Sequence, residues 1–145
     1  MIYTYPARLE ADEEGRLVVH FPDLPEALTD GVDEAEALAE AADCLSEALA
    51  SRIVDRQEIP TPSRAGSEMH LVSPEPTIAL KAALYTGLRR AGITPADLGR
   101  RLGLDEREAA RLLDPRARTR LTSLEAALAV LGYEIGIEVR EKRIA

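Results

Sequence analysis

Seven arginines lie within ADLGRRLGLDEREAARLLDPRARTR, residues 96–120, although the 145-residue chain carries a formal net charge of −8. A guanidinium keeps its charge at any physiological pH. It can donate paired hydrogen bonds either to guanine in the DNA major groove or to phosphate oxygens. Arg107 and Arg111, with Glu106 and Ala110, fall on one face of a short predicted helix whose other face carries Ala109, Leu112 and Leu113. That polar face is the natural reading surface of a groove-binding helix. Arg116, Arg118, Thr119 and Arg120 come just after the helix, where side chains meet backbone phosphate. Glu108 is spaced to cap the helix from Asp105, and Glu106 can accept a hydrogen bond from cytosine.

Other chemistries find less support. A metal-dependent nuclease needs several carboxylates converging on divalent cations. Asp12, Glu13, Glu14, Asp23, Asp30 and Asp33 fall at predicted turns or element ends, and their spacing does not put three on adjacent strand faces. No metal site is expected. His20 and His70 have no neighbouring cysteine or second histidine and read as structural or exposed. Cys44 is the sole cysteine, so no intramolecular disulfide can form, and its apolar surroundings in EAADCLSEAL suit a buried structural thiol. Neither a phosphate-binding glycine loop nor a nucleophile elbow is present. The chain is expected not to be an enzyme and to need no cofactor.

The elements that must position the arginines are helical. TIALKAALYTGLRRAG carries Leu80, Leu84, Leu88 and Ala91 at helical spacing and ends at Gly92. TPADLGRRLG follows, with Thr94 as N-cap, Pro95 in the first turn and Asp97 reaching back. Gly103 then allows a left-handed turn, and DEREAARLLD repeats the device with Asp105 and Glu108. Two short helices joined by a glycine turn form a helix-turn-helix pattern. Gly99 is small where such helices cross closely. After the link RARTR, TSLEAALAVLG reads as a further helix, capped by Thr122 or Ser123 and ended by Gly132. In YEIGIEVRE, Tyr133, Ile135, Ile137 and Val139 alternate as a half-buried strand without a visible partner in its own half. Two copies could pair there across a twofold axis; alternatively the strand joins the N-terminal sheet or an intradomain edge.

The first half has a different character. IYTYPARLEAD and GRLVVHFPDLP read as strands joined by an acidic turn, PEALTDG (25–31) allows a short third strand, and EMHLV a last one. Between them, residues 32–56 are helical, with Leu38, Ala41, Ala42, Leu45, Leu49 and Ile53 on one stripe. Asp33 is the N-cap and Glu36 its partner in a capping box. The order β-β-β-α-β makes a small layer of one helix on a sheet. SPEPT (73–77) is the expected linker, giving domains 1–72 and 78–145. The fold class is therefore α+β: a small sheet domain, then an all-α helix-turn-helix domain with a C-terminal dimerisation strand.

Charge divides the same way. Residues 1–72 hold 16 acids and 5 bases, a net −11, whereas residues 73–145 hold 10 acids and 13 bases, a net +3. An acidic half attracts a basic partner and a basic half attracts phosphate. No apolar run reaches the roughly 20 residues of a membrane span, and the N-terminus lacks a secretory pattern. A cytoplasmic protein is expected. With aromatics at 3% and no tryptophan, stacking platforms for single strands are not expected either.

YPARLEADEEGRLVVHFPDLPEALTDGVDEAEALAEAADCLSEAL, followed by IPTPS, resembles the HicB family of antitoxins from type II toxin–antitoxin pairs. FPDLP, a short segment, DG and then a long Glu/Ala helix carry the likeness. DLGRRLGLDEREAARLLDPRARTRLTSLEAALAVLG resembles the helix-turn-helix tail of many such antitoxins. The resemblance implies a partly degraded ribonuclease-H-like N-terminal domain. Its acidic surface, within residues 1–72, would bind a small basic HicA-type mRNA interferase and cover the toxin's catalytic histidine, making the chain a ribonuclease inhibitor. The C-terminal domain would bind operator DNA and repress the operon, as a homodimer or a higher oligomer. DERE, at the start of the reading helix, is more acidic than the family's usual residues. Two alternatives stay open at this point: a transcriptional regulator whose N-terminal domain binds a ligand or another protein, and a metal-dependent nuclease.

Overall fold

The computed structural model describes residues 1–142. Four strands, β1 (Tyr5–Ala11), β2 (Leu17–His20), β3 (Leu28–Gly31) and β4 (His70–Val72), form one sheet in the order β3-β2-β1-β4 with every pair antiparallel. Helix α1 (Glu34–Val54) lies between β3 and β4 in sequence. Helices α2 (Pro76–Ala91), α3 (Pro95–Leu102), α4 (Glu106–Leu113) and α5 (Leu121–Val130) follow the sheet. The chain is thus mixed α+β, with an antiparallel sheet followed by several helices.

Register sets the faces of the sheet. Leu9 pairs with Val19 and Arg8 with His20, so period-2 alternation turns Tyr5, Ala7 and Val19 inward and leaves Arg8, Glu10 and His20 exposed. Ala37, Ala41, Leu45 and Leu49 recur every four residues on α1 and are buried, completing the core with Phe21 and Leu24. Gly31 is required by a close approach: a Cβ there would sit 2.3 Å from the backbone nitrogen of Ala37. Asp33 caps α1, its Oδ1 accepting from the Glu36 N–H at 2.8 Å. Glu36 reaches back to the N–H of Val32 at 2.9 Å, one residue earlier than a capping box requires. At the other end the Gln57 N–H donates to Arg52 O and the Arg56 N–H to Ile53 O, with Arg56 left-handed at φ 57°.

The chain divides into two compact units. The first contains Met1–Leu49 and Pro60–Pro76; the second contains Ala50–Ile59 and Thr77–Val139. These units are not the continuous stretches 1–72 and 78–145. The last turn of α1 and the residues after it group with the helices, because Tyr85 Oη donates to Gln57 O at 2.6 Å and Arg89 to Arg56 O at 3.2 Å. Helix α2 also begins inside the expected linker, with Pro76 at its first position, where a missing N–H costs nothing.

The second unit's core is Leu84, Leu88, Leu98, Leu112, Leu124, Ala127 and Leu128, contributed by α2, α3, α4 and α5. One expectation fails within this unit, and a second is met in neither of its single-chain forms. Helix α5 starts at Leu121 with Arg120 as N-cap and no side-chain cap, so neither Thr122 nor Ser123 caps it. The Arg120 carbonyl instead accepts from the N–H groups of Ser123 and Leu124. Residues 133–139 form no strand within the described chain, neither joining the sheet nor making an edge of their own unit. Tyr133 and Ile135 pack on the helical core, but Ile137 and Val139 are 80% and 90% exposed, and just beyond them Arg140 donates to the Thr4 and Ser73 hydroxyls at 3.3 and 3.0 Å.

Candidate nucleic-acid interface

Helices α3 and α4 are eight residues each, too short to persist alone, and both are fixed by their caps. Thr94 accepts from the Asp97 N–H while Asp97 accepts from the Thr94 N–H; Asp105 and Glu108 repeat the exchange at α4. The Thr94 hydroxyl and N–H, helped by Arg100, hold the Asp97 carboxyl below its usual pKa. Gly103, at φ 70°, ends α3 in the left-handed region that favours glycine. The Leu104 N–H then returns to Gly99 O at 2.8 Å. The crossing is tight: a Cβ on Gly99 would lie 2.8 Å from the Ala109 Cβ.

This framework buries Leu98, Ala109 and Leu112 and turns Glu106, Arg107, Ala110 and Arg111 outward together. Glu108 is committed to its cap, its Oε2 3.0 Å from the Asp105 N–H, so its charge is partly offset by the first turn of α4. Glu106 stands on the exposed face beside Arg107. Beyond α4 the link alternates. Arg116, Arg118 and Arg120 are exposed, while Pro115, Ala117 and Thr119 are half-buried. The Thr119 hydroxyl donates back to Arg111 O at 3.4 Å.

Not every basic side chain in this region is available to a ligand. Arg100 pairs with Asp97, and Arg89 stacks 5.5 Å over the Tyr85 ring. Lys81 is fully buried, its Nζ donating to the carbonyls of Arg111, Asp114 and Ala117. Sequence reading missed this residue. The signal was its position between Ile78, Ala82 and Tyr85 on the buried face of α2, where a lysine is out of place.

In the sheet unit, most carboxylates at turns hold the chain. Asp12 accepts from the N–H groups of Glu14 and Arg16 at 2.9 Å each. Arg16 donates to Asp30 at 2.9 Å and holds that carboxyl below its usual range, and Asp23 accepts from the Ser63 N–H and hydroxyl. Among the described residues no three His, Cys, Asp or Glu side chains come together as a metal-binding group. His70 Nδ1 lies 3.9 Å from Glu34, and His20 is exposed. Cys44 is half-buried, and that burial pushes its thiol pKa up, away from reactivity. Glu36, Glu40, Asp43 and Glu47 are exposed along one flank of α1. No helix among the described residues is long and apolar enough to cross a membrane.

Residues 4–83 match the family model described as HicB-like antitoxin of bacterial toxin–antitoxin systems. The chain is 34% identical over 133 residues to "Antitoxin HicB" of Escherichia coli K12, covering 92% of this chain and 96% of that protein. "Antitoxin HicB 2" of Photorhabdus laumondii is 39% identical over 131 residues, covering 90% of this chain and 92% of its own. "Antitoxin HicB 1" of the same organism is 31% identical over 135 residues, 93% of this chain and 86% of its own. These alignments run beyond residue 83, so the likeness extends into the helical half.

Proposed function

The chain belongs to the HicB-like family of bacterial antitoxins, and we propose that it neutralises a HicA-type mRNA interferase through its acidic N-terminal surface while repressing its own operon through α3 and α4. HicB antitoxins are non-enzymatic regulatory proteins, and the turn carboxylates here serve as caps and ion pairs. On this reading the sheet and α1 are a reduced ribonuclease-H-like fold kept as a binding surface. The observation that carries the antitoxin reading is similarity to antitoxins over about nine-tenths of the chain.

Operator binding rests on a separate observation. The α3–α4 pair leaves Glu106, Arg107 and Arg111 exposed on one helix face, followed by the outward Arg116, Arg118 and Arg120. Such a helix-turn-helix would lay α4 in the major groove and the link against phosphate, with Thr119 bracing the link from inside. One such helix reads only a few base pairs, so two half-sites are needed. Residues 133–139 supply a means. Tyr133 and Ile135 anchor the segment to the core, while Ile137 and Val139 continue the alternation into open space, where a second copy can pair as an antiparallel ribbon.

Coexpression of this chain is expected to restore growth to cells expressing a HicA-type toxin from a neighbouring reading frame; failure to rescue would sink the antitoxin reading. Arg107→Ala with Arg111→Ala is expected to remove retardation of a duplex taken from immediately upstream of the chain's reading frame, with rescue intact. Equal loss of both activities would contradict the division of labour. Across a salt series, the wild-type affinity for that duplex should fall linearly in a log–log plot through counterion release, and a flat response would remove the phosphate contacts. Ile137→Lys with Val139→Lys is expected to give a monomer in sedimentation. A dimer that survives this change would place the twofold contact elsewhere.

A further inference from the structure

We infer that Lys81 is a positioning residue for DNA contact, tying the C-terminal end of α4 to the link that carries Arg116, Arg118 and Arg120. The inference rests on the operator-binding reading above. Lys81 has no exposed surface, so it cannot touch a phosphate itself. Its ammonium has three N–H donors and meets three backbone carbonyls: Arg111 O at 3.3 Å, Ala117 O at 2.7 Å, and Asp114 O. These carbonyls come from the last turn of α4, its C-cap and the middle of the link. One buried point therefore fixes the end of the reading helix and the start of the phosphate-facing segment together.

The chemistry fits a lysine and little else. Arg111 O belongs to the last turn of α4, whose carbonyls lack partners within the helix, and a cation there also meets the negative end of the helix dipole. A compact ammonium can donate in three directions, whereas a planar guanidinium cannot converge on carbonyls arranged around a point. Burial opposes the charge and lowers its pKa, with Asp114 partly offsetting this and Arg111 adding to it. Leucine would fill the same space without that penalty, so packing alone does not account for a lysine. The consequence is local order. The Ala117 N–H donates to Asp114 O at 3.1 Å and the Arg116 N–H to Asp114 Oδ1 at 2.9 Å, a turn that Lys81 closes from inside. Beyond Asp114 the link alternates inward and outward, which points Arg116 and Arg118 away from the core.

The test uses the full chain, as wild type and as Lys81→Met, with the upstream duplex in a salt series and amide exchange on the free protein. Lys81→Met is expected to keep protection at Leu98 and Leu124, to lose it at Ala117, and to bind the duplex at least about tenfold more weakly with a salt slope shallower by about two phosphates. A role confined to packing would leave both the slope and the Ala117 exchange unmoved, and that result would overturn the inference. Weaker binding with unchanged slope and exchange would overturn it too. If Lys81→Met loses protection throughout the helical unit, Lys81→Gln, which keeps two donors on a shorter stem, is compared instead. Wild-type affinity, slope and Ala117 exchange in that variant would be equally fatal. A wild-type chain that fails to retard the duplex at all would remove the operator reading, and the inference with it, before any variant is compared.

Discussion

Gly99→Val is expected to destabilise the helical unit by about 3 kcal/mol, the upper end of what overpacking costs, and to abolish binding to the upstream duplex. The reason is the α3–α4 crossing, where a Cβ on residue 99 would stand 2.8 Å from the Ala109 Cβ and 3.4 Å from Leu104 O. Carbon atoms pack best at about 3.5–4.0 Å, so the helices would have to part by most of an ångström. That movement would open the contact between Leu98 and Leu112 and tilt the exposed face of α4. Alanine is the wrong probe: its clash is smaller, and the roughly 1 kcal/mol of helix propensity it gains over glycine would mask the effect. The informative control is the swap of Gly99→Ala with Ala109→Gly, which keeps one methyl at the crossing on the other helix. It should melt within about 1 kcal/mol of wild type, the cost of moving a glycine from one helix interior to another, and should still bind the duplex. Wild-type melting and binding by Gly99→Val would mean that α3 and α4 do not cross this closely.

Local chemistry made this crossing legible in the sequence. The caps of α3 and α4 need only residues three apart, so Thr94 with Asp97 and Asp105 with Glu108 could be read directly and are found as expected. Gly103 was legible for the same reason, since a left-handed residue ends a helix regardless of what packs around it. The start of α5 was not: backbone bonds from Arg120 begin that helix, and Thr122 and Ser123, good caps by type, lie past the point where it starts. Residues 133–139 show the limit of alternation as evidence. The pattern of Tyr133, Ile135, Ile137 and Val139 is strand-like, but a strand needs a partner, and whether one exists depends on long-range pairing that the pattern does not encode.

Charge was legible in sum and misleading in detail. The ten bases of residues 81–120 do not all stand alike in the fold. Lys81 is buried under α4 through bonds to residues 30 to 36 positions away, and Arg89 and Arg100 are occupied by Tyr85, the Arg56 carbonyl and Asp97. Only tertiary packing distinguishes the buried Lys81 from Arg107, Arg111, Arg118 and Arg120, which stay exposed, whereas Arg89 and Arg100 are exposed as well but already hold partners. The acidic half divides likewise, because Asp12, Asp23, Asp30 and Asp33 hold turns, a neighbouring loop and a helix cap.

That division selects the second large effect. Glu40→Lys with Asp43→Lys is expected to abolish rescue from the toxin while leaving the melting temperature and duplex binding near wild type. Both side chains are exposed on α1, in a half whose net charge is −11. If these two charges face a basic toxin, as proposed, reversing them replaces attraction with repulsion, a change on the order of several kcal/mol and so about a hundredfold or more in affinity. The fold should tolerate the change. Lysine forms helix better than aspartate, Lys at position 40 would sit four residues after Glu36, and Lys at position 43 four before Glu47, both favourable spacings. Reversing Asp12, Asp30 or Asp33 would also weaken a turn, a strand pair or a cap, and the loss of rescue could then be blamed on unfolding. Added salt should narrow the gap between variant and wild type, since exposed charges are screened within about 10 Å. Full rescue by the doubly reversed chain would move the toxin contact off this flank of α1 and onto the sheet, where Arg8, Glu10 and His20 face solvent.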